Sequence, residues 1–412
     1  MARRRSTRSH RSMREWSVRV SLALVAASWG VFSVTQTLAY AMRSKDPERA
    51  HHLAPGDGRI TALLAQTLVQ PELGADARPR GEQLARAALQ EDSTAVPAVV
   101  ALGIAADLRG DSSQTRRLFG YAQRLSRRDL PTQLWALENA VGNGDITAAV
   151  YHYDIALRTS RNAADLLFPV LGAAISQPTI RTALTRTLVA RPIWGQAFVD
   201  YVAGNGPDAR ATALLLFDLH RAGAPISNGA NAAVINALMA GGATDAAWSY
   251  YAGIRPGSVR TMSRDPHFSA TDDVPTMLDW VPINDDAVTT SIQREDRGGV
   301  FDFFAPAGIG GALLRQVQML PPGRYRLEGH SRNIEQPADT MPYWVVTCHS
   351  SGRELGRVIL PHSAHAQGAF VGDFDVPPGC PVQELTLIAR ASDAVGGLTG
   401  QIDQVRVMRV MP

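Results

Sequence analysis

Between Arg19 and Arg43 lies a run of 23 residues, Val20 to Met42, without a charge. Wound as an α-helix at 1.5 Å per residue, it reaches roughly 34 Å, enough to cross a hydrocarbon core of about 30 Å. A segment this apolar spans a bilayer, is removed as an export signal, or is buried in a core. Seven arginines precede it (Arg3, Arg4, Arg5, Arg8, Arg11, Arg14 and Arg19), opposed only by Glu15. That excess of positive charge keeps the amino end in the cytoplasm and sends the rest of the chain across the membrane. Trp16 and Tyr40 flank the run where interfacial aromatics sit. Ala39-Tyr40-Ala41 matches an A-x-A cleavage pattern, but the apolar stretch is longer than a 7–15-residue signal core, which favours a retained anchor. Both export readings place the bulk of the chain outside the cytoplasm, and the expected location is a bacterial inner membrane, crossed once, with the bulk periplasmic.

The same arginines account for the basic character of the chain. Lys+Arg is 41 and Asp+Glu 38. Without those seven arginines and Glu15, 34 basic residues stand against 37 acidic ones, so the folded part has no basic excess. Nucleic-acid binding needs a basic face on the folded domain and is not expected. Hydrophobic residues at 45% and charged residues at 19% exclude general disorder. A length of 412 residues fits two or three domains.

Only two cysteines occur, Cys348 and Cys380. In an oxidising compartment they are expected to pair, closing a loop of about 30 residues. Two cysteines do not make a structural zinc site, which takes four ligands.

Residues 56–255 read as helical hairpins. Gly110-Asp111 and Gly144-Asp145 lie 34 residues apart, which divides the chain into units 96–129 and 130–163. In the first, Leu102-Gly103 falls on helix A and Phe119 and Ala122 on helix B. In the second, Ala149, Tyr153 and Ala156 fall on helix B. The preceding window, 62–95, is interrupted at Pro71–Arg80. Small residues at the crossing let two helices approach, and an aromatic fills the space against the next hairpin. Further hairpins follow to Ala252 with weaker phase. This pattern resembles the tetratricopeptide repeat and related α-solenoids, which implies docking of a protein partner on a concave face. Tyr151, Tyr153, Trp248, Tyr250 and Tyr251 are read mainly as packing between hairpins. His51, His52 and His152 are read as surface or satisfied histidines.

Arg255-Pro256-Gly257, Pro266 and Pro275 mark a linker over 256–275. From 276 to 412 the segments shorten and turns recur about every ten residues. Ten strands are expected: Met277–Pro282, Thr289–Gln293, Val300–Phe304, Leu313–Met319, Arg324–Gly329, Tyr343–Cys348, Leu355–Leu360, Ala369–Asp375, Glu384–Ala389 and Gln401–Val410. Two Pro-Pro-Gly sequences, 321–323 and 377–379, fit type II turns. The fold class expected is multidomain α + β: an N-terminal transmembrane helix, a tetratricopeptide-like solenoid, and an antiparallel β-sandwich of jelly-roll type, with an immunoglobulin-like sandwich second. The order Leu320-Pro-Pro-Gly-Arg-Tyr-Arg-Leu327, Trp344, Cys348, Val376-Pro-Pro-Gly-Cys-Pro-Val-Gln-Glu-Leu385 resembles carbohydrate-binding-like or galactose-binding-like sandwiches. The resemblance implies glycan binding, as in bacterial envelope proteins linked to exopolysaccharide.

Catalytic motifs fail. The chain has no Gly-x-Ser-x-Gly elbow, phosphate loop or His-Glu-x-x-His. Gly308-Ile-Gly310-Gly311 lacks the lysine of a phosphate loop. His362 and His365, Asp272-Asp273 and Asp285-Asp286 read as loop residues rather than metal ligands. Glu295-Asp296 and Glu328 are the carboxylates an alternative glycosidase reading would use. Trp280, Tyr343 and Trp344 are candidates to stack on sugar rings. Trp344 beside Val345-Val346 is read as core, leaving Tyr343 and Trp280 as candidate glycan contacts. No cofactor, metal or catalytic residue is expected. The function expected is a non-catalytic, membrane-anchored envelope protein whose repeats dock a protein partner and whose sandwich binds glycan or braces an exopolysaccharide-related assembly. The alternatives are a carbohydrate-active enzyme and a purely structural assembly factor. A reporter enzyme that folds only in an oxidising compartment, fused after Pro412, is expected to be active. One active only in the cytosol would reverse the topology.

Overall fold

The computed structural model describes residues 13–270, 273–285, 287–295, 298–364 and 366–410. Fourteen α-helices come first among them and ten β-strands follow. The chain divides into two compact units, Met1–Ala163 and Ala164–Pro412.

The first unit begins with α1 (Met13–Met42), a single 30-residue helix that is long and apolar enough to cross a membrane. Its leucines, valines and Trp29 are exposed through most of its length. Its final turns enter the folded unit: Ala39 is fully buried in a small cluster with Ala50, Ala54 and Ile60. These come from α2 (Pro47–Leu53), its end, and α3 (Gly58–Leu68). Ala39-Tyr40-Ala41 is therefore helical and partly packed. The unit continues with α4 (Arg78–Glu91), α5 (Val96–Leu108), α6 (Ser112–Leu125), α7 (Leu130–Gly142) and α8 (Ile146–Thr159).

The α5–α6 and α7–α8 hairpins repeat one local device 34 residues apart. Gly110 and Gly144 take φ of +77° and +72°, a conformation that favours glycine, and each ends its helix. The following Asp111 and Asp145 cap the next helix, accepting from Gln114 N and Ala148 N at 2.9 Å. Alanine lines the core between α3, α4 and α5, where Ala65, Ala85, Ala88, Ala98 and Ala101 are all fully buried. Such small side chains let helices pack closely. Gly103 serves the same end, since a Cβ there would sit 2.9 Å from the Phe119 ring. Phe119 in turn stacks on Trp135 at 4.6 Å between ring centroids.

The second unit contains α9 (Ala163–Ala174), α10 (Pro178–Val189), α11 (Gly195–Asn205), α12 (Ala209–Arg221), α13 (Asn228–Ala240) and α14 (Thr244–Ile254). Its strands are β1 (Val281–Pro282), β2 (Thr289–Glu295), β3 (Gly298–Ala305), β4 (Gly311–Gln318), β5 (Gly323–Arg332), β6 (Tyr343–Cys348), β7 (Glu354–Ile359), β8 (Ala369–Val376), β9 (Gln383–Ala389) and β10 (Leu398–Arg409). They form two five-stranded sheets, ordered β1-β4-β9-β6-β7 and β2-β3-β10-β5-β8, with every pairing antiparallel. Alternation decides which side chains turn inward: Trp344 and Val346 from β6, Tyr325 and Leu327 from β5, Phe301 and Phe303 from β3 share one core.

Each of the ten expected segments overlaps a strand, but the first shrinks to two residues. Thr276–Asp279 closes into a turn instead, because Asp279 Oδ2 accepts from Thr276 N at 3.0 Å and from its hydroxyl at 2.8 Å. Of the two Pro-Pro-Gly sequences, 377–379 makes a turn, with Gly379 at φ +86° and Cys380 N donating to Pro377 O. In the other, Gly323 opens β5. Cys348 and Cys380 form a disulfide with Cα atoms 5.8 Å apart, tying the end of β6 to the turn before β9.

The segment read as a linker is bonded into the sandwich. β3 accompanies β10 only as far as Ile402. Beyond that point Ser263 N donates to Val407 O at 3.0 Å and Val405 N to Pro266 O at 2.9 Å, so the segment satisfies backbone groups that β3 leaves open. From it the wholly buried Arg264 side chain reaches the other sheet. It donates to Leu278 O at 2.7 Å, to Gln318 Oε1 at 3.1 Å and to Val317 O. The rings of Trp248 and Tyr251 on α14 lie 6.0 and 5.9 Å from its guanidinium carbon. Burial pulls its pKa down to about 10, so it stays charged at neutral pH. Arg264→Met should lower unfolding stability by about 3–5 kcal/mol, because three acceptors lose their donor and Asp279 loses its nearby charge. Arg264→Lys should recover only part of it. Denaturant titration of the full chain in detergent checks both; an Arg264→Met midpoint equal to the parent's contradicts this account.

Candidate functional site

The candidate site is the outer face of the β1-β4-β9-β6-β7 sheet. Strand β6 alternates strictly, with Trp344, Val346 and Cys348 inward and Tyr343, Val345 and Thr347 outward. Register carries that outward face across the sheet. Tyr343 stands between Ile388 of β9 and Ile359 of β7. One step along, Arg315 of β4, Thr386 of β9, Val345 and Arg357 of β7 form a row across four strands. At about 4.8 Å per strand, the row is about 14 Å wide. A further step along, Glu384 and Glu354 face Thr347. Apolar and cationic groups thus gather at the start of β6, and acidic ones at its end.

Two guanidinium groups lie over the Tyr343 ring, Arg357 at 4.4 Å and Arg390 at 4.9 Å from its centroid. Arg357 comes from β7 and Arg390 from the residue after β9, the two strands that flank β6. Arg357 is also held by Glu354 through two hydrogen bonds of 3.1 and 2.7 Å, and these raise its pKa. Arg390 donates to the Asp339 carbonyl at 2.9 Å. Among the described residues no carboxylate pairs with Arg390 or with the exposed Arg315. Ile359 is about half exposed.

Tyr343 is thus partly exposed, as a glycan contact requires, with two arginines over its ring. Trp280 is a correction: only 4% exposed, it packs in the core against Phe268 and Trp344 at 5.3 and 5.8 Å between centroids. Its indole N–H donates to Asp265 O at 2.8 Å. The turn at Thr276–Asp279 draws it inward, and no sequence periodicity announces that turn. Trp344 is fully buried in the core. What the sequence reading missed is the arginine pair, because Arg357 and Arg390 meet Tyr343 only through strand register.

The other candidates resolve into structure. Glu328 pairs with Arg406. Asp285 Oδ1 accepts from Ala287 N and Val288 N at 2.8 Å, a turn cap. Asp272, Asp286, Asp296 and His365 lie outside the described residues, as does the Glu295 side chain. Among the described residues no group of three His, Cys, Asp or Glu side chains gathers as metal ligands do. His152 shares a 2.8 Å hydrogen bond with the buried Gln133, and burial lowers its pKa. Tyr153, Tyr250 and Tyr251 are buried, while Tyr151 is exposed. A cleft of about 550 Å³ beside Arg264 is lined by Tyr251, Ser263, Asp279 and Arg406. Its charged groups are already engaged: Asp279 by Tyr251 at 2.6 Å and Arg406 by Glu328.

No protein-family model matches the chain, and no curated protein matches it. Among solved structures, the enzymatically active domain of tailspike protein 4 from bacteriophage CBA120 is similar over 33% of this chain at 14% identity and a TM-score of 0.25; the match spans only 20% of that protein. The CBM6cm-2 carbohydrate-binding module from Cellvibrio mixtus lichenase 5A matches over 32% of this chain and 98% of its own, at 12% identity and a TM-score of 0.21. The family 11 carbohydrate-binding module of the cellulosomal cellulase Lic26A-Cel5E of Clostridium thermocellum matches over 38% and 98%, at 11% identity and a TM-score of 0.22. Likeness at these values is too slight to establish a shared fold.

The burial difference is measurable. Trp280→Ala should cost about 3–5 kcal/mol as a core truncation, and Tyr343→Ala less than about 1 kcal/mol as a surface one. Thermal melts of both variants check this. Equal losses would mean that Tyr343 is part of the core.

Proposed function

We propose that this chain is a membrane-tethered, non-catalytic envelope protein that binds glycan on the outer face of its β1-β4-β9-β6-β7 sheet. The observation that carries the reading is the patch of exposed Ile359 and half-buried Tyr343 and Ile388 beside Arg315, Arg357 and Arg390. A sugar ring offers apolar C–H groups to the first set and oxygens to the second. A sheet face suits an extended polymer better than a small enclosed ligand.

In this reading α1 is an uncleaved anchor, and residues beyond Met42 lie in the periplasm of a bacterial cell. The burial of Ala39 supports retention, since cleavage after Ala41 would remove part of the packed cluster. The 34-residue period of the α5–α6 and α7–α8 hairpins supports a tetratricopeptide-like stack that docks a protein partner. The two-sheet order supports a jelly-roll-type sandwich. An exopolysaccharide-related assembly is the setting that joins these parts.

Incubation of the full chain in nanodiscs with envelope polysaccharides tests the reading. Co-sedimentation with polymer and no release of shorter products is the expected result. Release of oligosaccharides would support the enzyme alternative. Failure to sediment with any polymer would leave the structural-assembly alternative.

A further inference from the structure

Resting on that glycan-binding reading, we infer that the sheet face selects acidic glycans, polymers carrying uronic-acid carboxylates, over neutral ones. A neutral sugar is gripped most simply by stacking its C–H face on a bare aromatic ring. Here two guanidinium groups already lie over the Tyr343 ring, Arg357 at 4.4 Å and Arg390 at 4.9 Å from its centroid. A ligand therefore meets the ring together with two guanidinium groups. Arg357 already spends its Nε and Nη2 on Glu354 and Arg390 gives its Nη1 to the Asp339 carbonyl, so the guanidinium groups left to offer N–H pairs to a planar two-oxygen acceptor, among the described residues, are those of Arg315 and Arg390. A carboxylate has that shape, and a neutral hydroxyl does not.

Charge points the same way. Glu354 offsets Arg357, while Arg315 and Arg390 have no carboxylate partner among the described residues. The acidic residues on this face, Glu354 and Glu384, sit toward the far end of β6, and Glu384 has His349 at 3.6 Å. Among the described residues, the end bearing Tyr343 therefore holds two arginines with no carboxylate in ion-pair contact. Arg315 and Arg357 stand at opposite ends of a row about 14 Å wide, so an extended polymer rather than one small anion can reach both ends. Ile359 and Ile388 on either side of Tyr343 supply the apolar contact for the sugar ring between them.

The test is binding of full chain in nanodiscs to polygalacturonate and to a neutral galactan of matched length, by calorimetry at low and high salt. Tighter binding of polygalacturonate, weakened by salt, is expected. An Arg315→Gln/Arg390→Gln double variant should lose at least about tenfold in affinity for polygalacturonate and little for galactan. An Arg315→Lys/Arg390→Lys variant should recover part of it, because charge is restored without the planar fork. Unchanged melting of both variants shows that the loss is not unfolding. Equal affinity for the two polymers, or a double variant that binds polygalacturonate like the parent, overturns the acidic preference while glycan binding stands. Binding of neither polymer overturns both.

Discussion

The buried guanidinium of Arg264 is the constraint on which the second unit depends. A charge taken out of water is tolerated only if its donors are used. Arg264 uses them on backbone carbonyls at Leu278 and Val317 and on the Gln318 amide, and it lies beside two aromatic rings of α14. Its own carbonyl accepts from Gln316 Nε2 at 3.1 Å, and Gln316 in turn accepts from Gln318 at 2.6 Å. The residues from α14 through β4 are thereby one polar network, closed by Tyr251 and Asp279. Ordinary core packing would hold the two sheets together. It would not fix where the last helix meets them.

That network explains why the cleft beside Arg264 is a poor binding site and the plain sheet face a better one. In the cleft, arginine and aspartate are consumed by structure. On the sheet face, Glu354 offsets Arg357, while Arg315 and Arg390 have no carboxylate partner among the described residues. The two sites use similar residue types, and they differ in how many arginines a carboxylate matches inside the protein. A ligand binds where polar groups are positioned but unsatisfied.

The contrast between the two units follows from side-chain size. In the first, alanine at the helix contacts of α3, α4 and α5 permits close crossing, and Phe119 fills the space that Gly103 leaves. In the sandwich, large aromatics fill the gap between sheets, which lie about 10 Å apart in such folds. Trp280 is drawn into that gap because Trp344 and Phe268 leave room for it and Asp265 O accepts its N–H.

Local patterns alone determined the elements. The uncharged run of Val20 to Met42 made a long apolar helix, Gly110-Asp111 and Gly144-Asp145 marked two hairpins in the same phase, and two-residue alternation marked the strands. These signals are legible because they depend on neighbours a few residues away. The tertiary structure alone decided that 262–267 completes the side of β10 that β3 leaves open, that Trp280 turns inward, and that Arg357 and Arg390 lie over Tyr343. Each of these depends on register between segments from 14 to 146 residues apart. Register is set by which buried faces and hydrogen bonds can be satisfied together, and no single segment carries that information.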